Sequence, residues 1–191
     1  DYTITVFENV SGTQYATALS QQITVKISNT FGPFLYPNQY VYFTSDSPAV
    51  AKASQLAASA TSDLDVVSSI YNYIIDNYTY DYDKAANVAS GYLPDVDEIF
   101  KTHTGICFDY ASVMATMLRS QRIPTRLEIG YAGENYHAWI STYIKDIGWV
   151  NGIIEFDGTS WTLMDPTYAS TSKTPEKFVA DQANYQLKYV Y

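Results

Sequence analysis

The chain has 191 residues, enough to bury a substantial core, and 47% of them are apolar, which excludes a disordered segment and favours one main domain with an N-terminal elaboration. A formal charge of -9, with 11 Lys and Arg in all and no cluster among them, excludes a nucleic-acid partner, because nothing is present to displace counterions from phosphates. No apolar run approaches the roughly 18 residues a membrane helix requires, so no membrane span is expected in this chain.

Residues 2 to 43 alternate apolar and polar in three patches, Tyr2 to Phe7, Gln22 to Ile27 and Gln39 to Phe43, separated by Gly and Pro as strands are. Ser47-Pro48 fits an N-cap followed by proline at the first helical position, which opens an alanine-rich helix to about Ala60. Ser62 with Asp65 three residues on opens a second helix, with Leu64, Val67, Ile70 and Ile74 at helical spacing. A tyrosine-rich stretch from Asn77 to Asp83 precedes Gly91 and Pro94, which break the chain before a short helix around Asp95 to Phe100.

The polar run Lys101 to Gly105 then gives way to Ala111, Val113, Met114, Met117 and Leu118, a helix that begins at Cys107 and ends at Ile123-Pro124. Thr125 to Tyr131 starts a strand series, with a turn at Gly133 to Asn135. The strand from His137 to Ile144 places His137 and Trp139 on one face. Asp157-Gly158 is a hairpin signal joining Ile153 to Phe156 with Ser160 to Met164, and Asp165 follows that strand. Thr174-Pro175 caps a last short helix, and Gln186 to Tyr191 reads as a closing strand. Helices followed by a meander of strands make an α+β domain with an antiparallel sheet.

Three residues in this order carry chemistry. Cys107, the one cysteine, stands at a helix start, where unpaired amide protons and the helix dipole favour negative charge. His137 supplies a base and Asp165 a group to hold the imidazole in one tautomer, the demands of a thiol nucleophile. Backbone amides at Cys107 and Phe108 are available to an oxyanion. Singly, each residue also has a plain structural reading: a small buried thiol, a packed histidine, a turn at Asp165-Pro166. Metal binding competes weakly, since two histidines, His103 and His137, and one cysteine lack CxxC or HExxH spacing, and no cofactor is expected.

The blocks Gly105-Ile106-Cys107-Phe108-Asp109-Tyr110-Ala111, Arg119 to Arg126, Gly130-Tyr131, His137-Ala138-Trp139 and Trp161 to Thr167 closely resemble the transglutaminase-like superfamily over roughly residues 66 to 168. The resemblance implies a papain-like core of helices packed on an antiparallel sheet, with Cys107, His137 and Asp165 as nucleophile, general acid/base and imidazole orienter. It also implies a substrate cleft at Tyr80, Phe108 and Trp139. Residues 1–60 are then a β-rich extension with the first helix, packed on a catalytic domain of residues 61–191. Phe108 stands where animal protein-crosslinking enzymes have Trp, and the calcium sites and immunoglobulin-like domains of those enzymes have no room here.

The expected function is acyl transfer or amide hydrolysis through a thioester at Cys107. The substrate is a protein, a peptide or a glutamine carboxamide, with cell-wall peptide among the options. The alternative is a catalytically idle cell-surface module that binds peptide or glycan through exposed Tyr36, Tyr40, Tyr78, Tyr82 and Tyr92. One cysteine fixes no compartment, but few Lys and Arg and a surface rich in Tyr, Ser, Thr and Asn lean toward an extracellular or cell-surface bacterial protein. The start at Asp1 without methionine reads as a trimmed or processed chain.

Overall fold

The structure is a computed structural model that describes residues 1–151, 153–156, 161–164 and 185–191. Its chain divides into two units, Asp1–Thr30 and Phe31–Tyr191. Asp165, the turn at Asp157-Gly158 and the helix expected after Thr174-Pro175 lie outside the described residues.

The first unit is an antiparallel hairpin of β1 (Tyr2–Ser11) and β2 (Gln14–Ile23). Its turn uses Gly12 at φ 54, a left-handed conformation that glycine adopts without steric cost. The strand expected over Gln22 to Ile27 stops at Ile23. Ile23 pairs with Tyr2, so the ladder has run out of partner, and the Thr24 hydroxyl instead donates to the Asp1 carboxylate.

In the second unit, Gly32–Phe34 form a single 3-10 turn. The strand expected over Gln39 to Phe43 does not form. The Asn38 side-chain oxygen accepts from the amides of Tyr40 and Val41 at 2.9 and 3.0 Å, and the Asn38 amide donates to the Val41 carbonyl at 3.1 Å. This local side-chain turn satisfies the backbone in place of a ladder and drives Val41 into the core.

Helix α1 (Pro48–Ala57) starts with proline at its first position and ends a few residues short of the expected Ala60. Helix α2 (Asp63–Asn77) has the expected cap, with Ser62 Oγ accepting from the Asp65 amide and Asp65 accepting in return from Thr61. Strand β3 (Thr79–Tyr80) leads to α3 (Tyr82–Asn87), a helix not anticipated from sequence, although Asp81 caps it through the Lys84 amide at 2.8 Å. Helix α4 (Val96–Thr102) follows, capped by Asp95. His103, at φ 52, ends it in the left-handed conformation and turns the chain into β4 (Thr104–Gly105), which pairs in parallel with β3.

Helix α5 (Cys107–Ser120) is buried from Asp109 to Arg119 and packs against α1, α2 and α4 and against two strands, β5 (Thr125–Ala132) and β6 (Asn135–Ile144). A helix buried on every face lies at the centre of a domain, and its buried Asp109 and Arg119 must then find partners there. Met114, Met117 and Leu118 share one buried core with Leu127 and Ile140, and each such side chain contributes roughly 1.5–3 kcal/mol on burial. Strands β7 (Gly148–Asn151) and β10 (Tyr185–Val190) complete an antiparallel sheet in the order β10-β5-β6-β7. Strands β8 (Ile153–Phe156) and β9 (Trp161–Met164) pair antiparallel, with Phe156 opposite Trp161, as the hairpin reading requires. The architecture is α+β, helices on an antiparallel sheet, with a strand hairpin at the N-terminus.

Two residues tie the second unit together. The buried Arg119 donates through Nε to the Thr125 carbonyl at 2.9 Å, through Nη1 to Tyr36 at 3.0 Å and through Nη2 to the Tyr191 backbone oxygen at 2.9 Å. Burial lowers its pKa to about 10, so the guanidinium stays charged at neutral pH. Gly130 lets β10 approach β5 closely: a Cβ there would stand 2.0 Å from the Gln186 carbonyl oxygen.

Candidate active site

Cys107 is the first residue of α5, and the chain reaches it through a tight construction. A Cβ on Gly105 would stand 2.5 Å from the Asp109 Cβ and 2.7 Å from its Oδ2, so only glycine fits beside the buried carboxylate. That carboxylate accepts from the Ile106 amide at 2.8 Å. Ile106 at the N-cap has no side-chain acceptor to offer the first-turn amides of Cys107 and Phe108, which are left facing outward from the helix end.

The half-buried Cys107 lines a cleft of about 680 Å³. His137 lines the same cleft from β6, beside Tyr136 and Ala138. Tyr80 and Phe108 also line it, with Tyr40, Tyr92, Tyr189 and Tyr191. The structure thus brings Cys107, His137, Tyr80 and Phe108 to one cavity. Trp139 is not among the described lining residues. It is buried, stacked on His137 with ring centroids 6.3 Å apart, and hydrogen-bonded to the Glu128 side chain opposite it in the sheet. The other histidine, His103, sits elsewhere. Its Nε2 lies 3.1 Å from the Tyr73 hydroxyl, and it borders a separate open depression between α1 and α4.

The tyrosines expected to be exposed divide. Tyr36 and Tyr82 are exposed, and Tyr40 and Tyr92 are half-buried. Tyr78 is a correction: it is 5% exposed, packed on His103 and Tyr110, and burial pushes its phenol well above the ordinary value. Tyr78 directly follows α2, and its ring turns inward with the apolar face of that helix.

Sequence reasoning missed the support beneath the cleft. Both Asp109 oxygens are engaged: Lys84 Nζ lies 2.6 Å from Oδ2, and the Tyr92 hydroxyl donates to Oδ1 at 2.6 Å. Burial, then the bond to Asp109, pushes the Tyr92 phenol far above its ordinary value, so it remains a donor across the neutral range. The sequence offered only a weak signal, a carboxylate in the first turn of a helix rich in apolar residues, which needs partners if it is buried but does not name them.

A sequence profile of the transglutaminase-like superfamily matches residues 50–152, which include Cys107 and His137 and stop before Asp165. A protein of Bacillus subtilis strain 168, YebA, whose function is uncharacterised, is 24% identical over 66% of this chain and 20% of its own length. The protein-glutamine gamma-glutamyltransferase of Pseudomonas aeruginosa is 33% identical over 38% of this chain and 11% of its own. The chain therefore spans a fifth or less of these relatives. Among solved structures, the periplasmic domain of TgpA from P. aeruginosa superposes with a TM-score of 0.53 at 22% identity, covering 73% of this chain and 49% of that one. A candidate cysteine protease of Cytophaga hutchinsonii gives 0.58 at 20%, covering 86% and 48%. The fold, the family profile and the placement of the one thiol on the first turn of the central helix lead to the same assignment. The chain belongs to the transglutaminase-like superfamily.

Proposed function

We propose that this domain catalyses acyl transfer through a thioester at Cys107, on a protein or peptide substrate, outside the cytoplasm. The observation that carries the reading is that Cys107, at the start of α5, and His137, on β6, line one cleft. The name of the P. aeruginosa relative supports a glutamine carboxamide as acyl donor, and the periplasmic origin of a superposable domain supports the compartment.

The Cys107 sulfur attacks the carbonyl carbon, forming the C–S bond, while the first-turn amides receive the charge that develops on oxygen. His137 takes the thiol proton and gives it to the departing nitrogen as the C–N bond breaks, so ammonia or an amine leaves. Water or a second amine then attacks the thioester and regenerates the thiol. In this reading Asp165 orients the imidazole.

The test is mass spectrometry of the chain incubated with a glutamine peptide and a primary amine. Conversion of glutamine to glutamate indicates hydrolysis, and an amine adduct indicates transfer. Cys107→Ala is expected to abolish both, and His137→Gln to lower the rate by about 10²- to 10⁴-fold. Asp165→Asn is expected to lower kcat within a range of about 10²- to 10⁴-fold, by releasing the imidazole from its tautomer. Turnover that survives Cys107→Ala, or a wild-type chain that leaves both peptide and amine unchanged, removes the proposal.

A further inference from the structure

One wall of the cleft has no regular structure. Val88, Ala89, Ser90, Gly91, Tyr92 and Leu93, between α3 and α4, all line it. Gly91 sits at φ 82, and inside the segment the Tyr92 amide donates to the Ala89 carbonyl at 3.2 Å. Among the described residues, the hydrogen bonds joining this segment to the rest of the domain all run through the Tyr92 hydroxyl, which donates to Asp109 at 2.6 Å and accepts from Lys84 Nζ at 2.7 Å. Lys84 Nζ also lies over the Tyr92 ring, 4.4 Å from its centroid, and bonds Asp109 directly.

Asp109 is fully buried two residues after Cys107, and its other engagement is the Ile106 amide just before the cysteine. The same carboxylate therefore holds the chain that presents the thiol and the tyrosine that anchors the wall. An ion pair whose carboxylate is fully buried is a poor device for stability alone, because desolvation of that carboxylate offsets much of the attraction, but its directional bonds fix geometry.

We propose that Asp109, clamped by Lys84 and Tyr92, is a positioning residue that sets the 88–93 wall against the Cys107 turn, and so governs how extended peptide substrates are held. The proposal rests on the reading of Cys107 as the nucleophile. A short acyl donor reaches the sulfur without leaning on the wall, whereas a longer peptide runs along it.

Lys84→Met in the full chain, compared with wild type and Lys84→Arg, tests this with a glutamine-centred tripeptide and a glutamine-centred dodecapeptide. Lys84→Met is expected to raise KM for the dodecapeptide about tenfold with kcat held within about twofold, and to leave the tripeptide constants within about twofold. Lys84→Arg, which keeps a donor to the carboxylate, is expected to restore most of the loss. Hydrogen exchange is expected to quicken about tenfold at the 88–93 amides and to stay unchanged in α5. Asp109→Asn, which keeps an acceptor for Ile106, is expected to give the same exchange pattern.

Parallel losses on both peptides, or exchange at residues 88–93 that neither variant alters, overturn the proposal while leaving the Cys107 reading intact. Faster exchange without the KM change overturns it as well. A wild-type chain that turns over neither peptide defeats the Cys107 reading and this proposal with it.

Discussion

Gly105 illustrates how a single hydrogen atom in place of a methyl group decides a local structure. A Cβ at that position meets the Asp109 side chain, and Asp109 cannot retreat without breaking its bonds to the Ile106 amide, Lys84 and Tyr92. Gly105→Ala is expected to destabilise the chain by about 2–4 kcal/mol, measured by urea unfolding; a loss below about 0.5 kcal/mol contradicts the packing described. Glu128 is a second residue under tension. Burial pushes its carboxyl above the ordinary value of 4.5, against the bonds from Ser141 and Trp139 that favour the ionised form. The sign follows from linkage: the protonated form is the one the fold prefers. This contribution is fully present below pH 4.5 and is lost as pH rises through the raised folded value. Glu128→Gln keeps an acceptor for the indole and meets the Ser141 hydroxyl with either amide group. It is expected to raise Tm at pH 7 and to flatten the dependence of Tm on pH above 4.5, which thermal melts across that range would check. An equal or lower Tm at pH 7 speaks against it.

Among elements, α5 was the most legible. Its apolar spacing, the turn residues before Cys107 and Ile123-Pro124 after it marked both ends, and α2 was equally clear from Ser62 and Asp65. Strand β6 was legible from alternation that placed His137 and Trp139 together, and their rings do stack. The segment Gln39 to Phe43 alternated just as well and is no strand, because Asn38 captures its amides before any neighbour can. Helix α3 was hidden by its length, too short for periodicity to register. What joins elements is harder still to see. Arg119 looks like an ordinary residue at the end of a helix, yet it serves carbonyls contributed by Tyr36, Thr125 and Tyr191. Arg119→Met is expected to cost about 3 kcal/mol or more, since acceptors lose a charged donor in a buried setting, and denaturant unfolding would measure it. A change within about 0.5 kcal/mol would mean that these bonds are replaced by water.

For the molecule as a whole, the two units differ in how each holds itself together. The second is built around the buried α5, while the first is a two-stranded hairpin with Tyr2, Ile4, Val6, Leu19 and Ile23 exposed, and two strands alone are marginal in water. Amide exchange is therefore expected to be complete within β1 and β2 well before it begins in α5; equal protection in the two would refute this. The chain's own order of residues was enough for the α+β class, the family, and the candidacy of Cys107 and His137, because capping, periodicity and a lone thiol before an apolar helix are local features that survive in one dimension. Only the tertiary structure brought His137 to the cavity that holds Cys107, buried Tyr78, and set Lys84 and Tyr92 on Asp109. Those outcomes depend on which surfaces come together across distant parts of the chain, and a buried charge or phenol does not name its partners in one dimension.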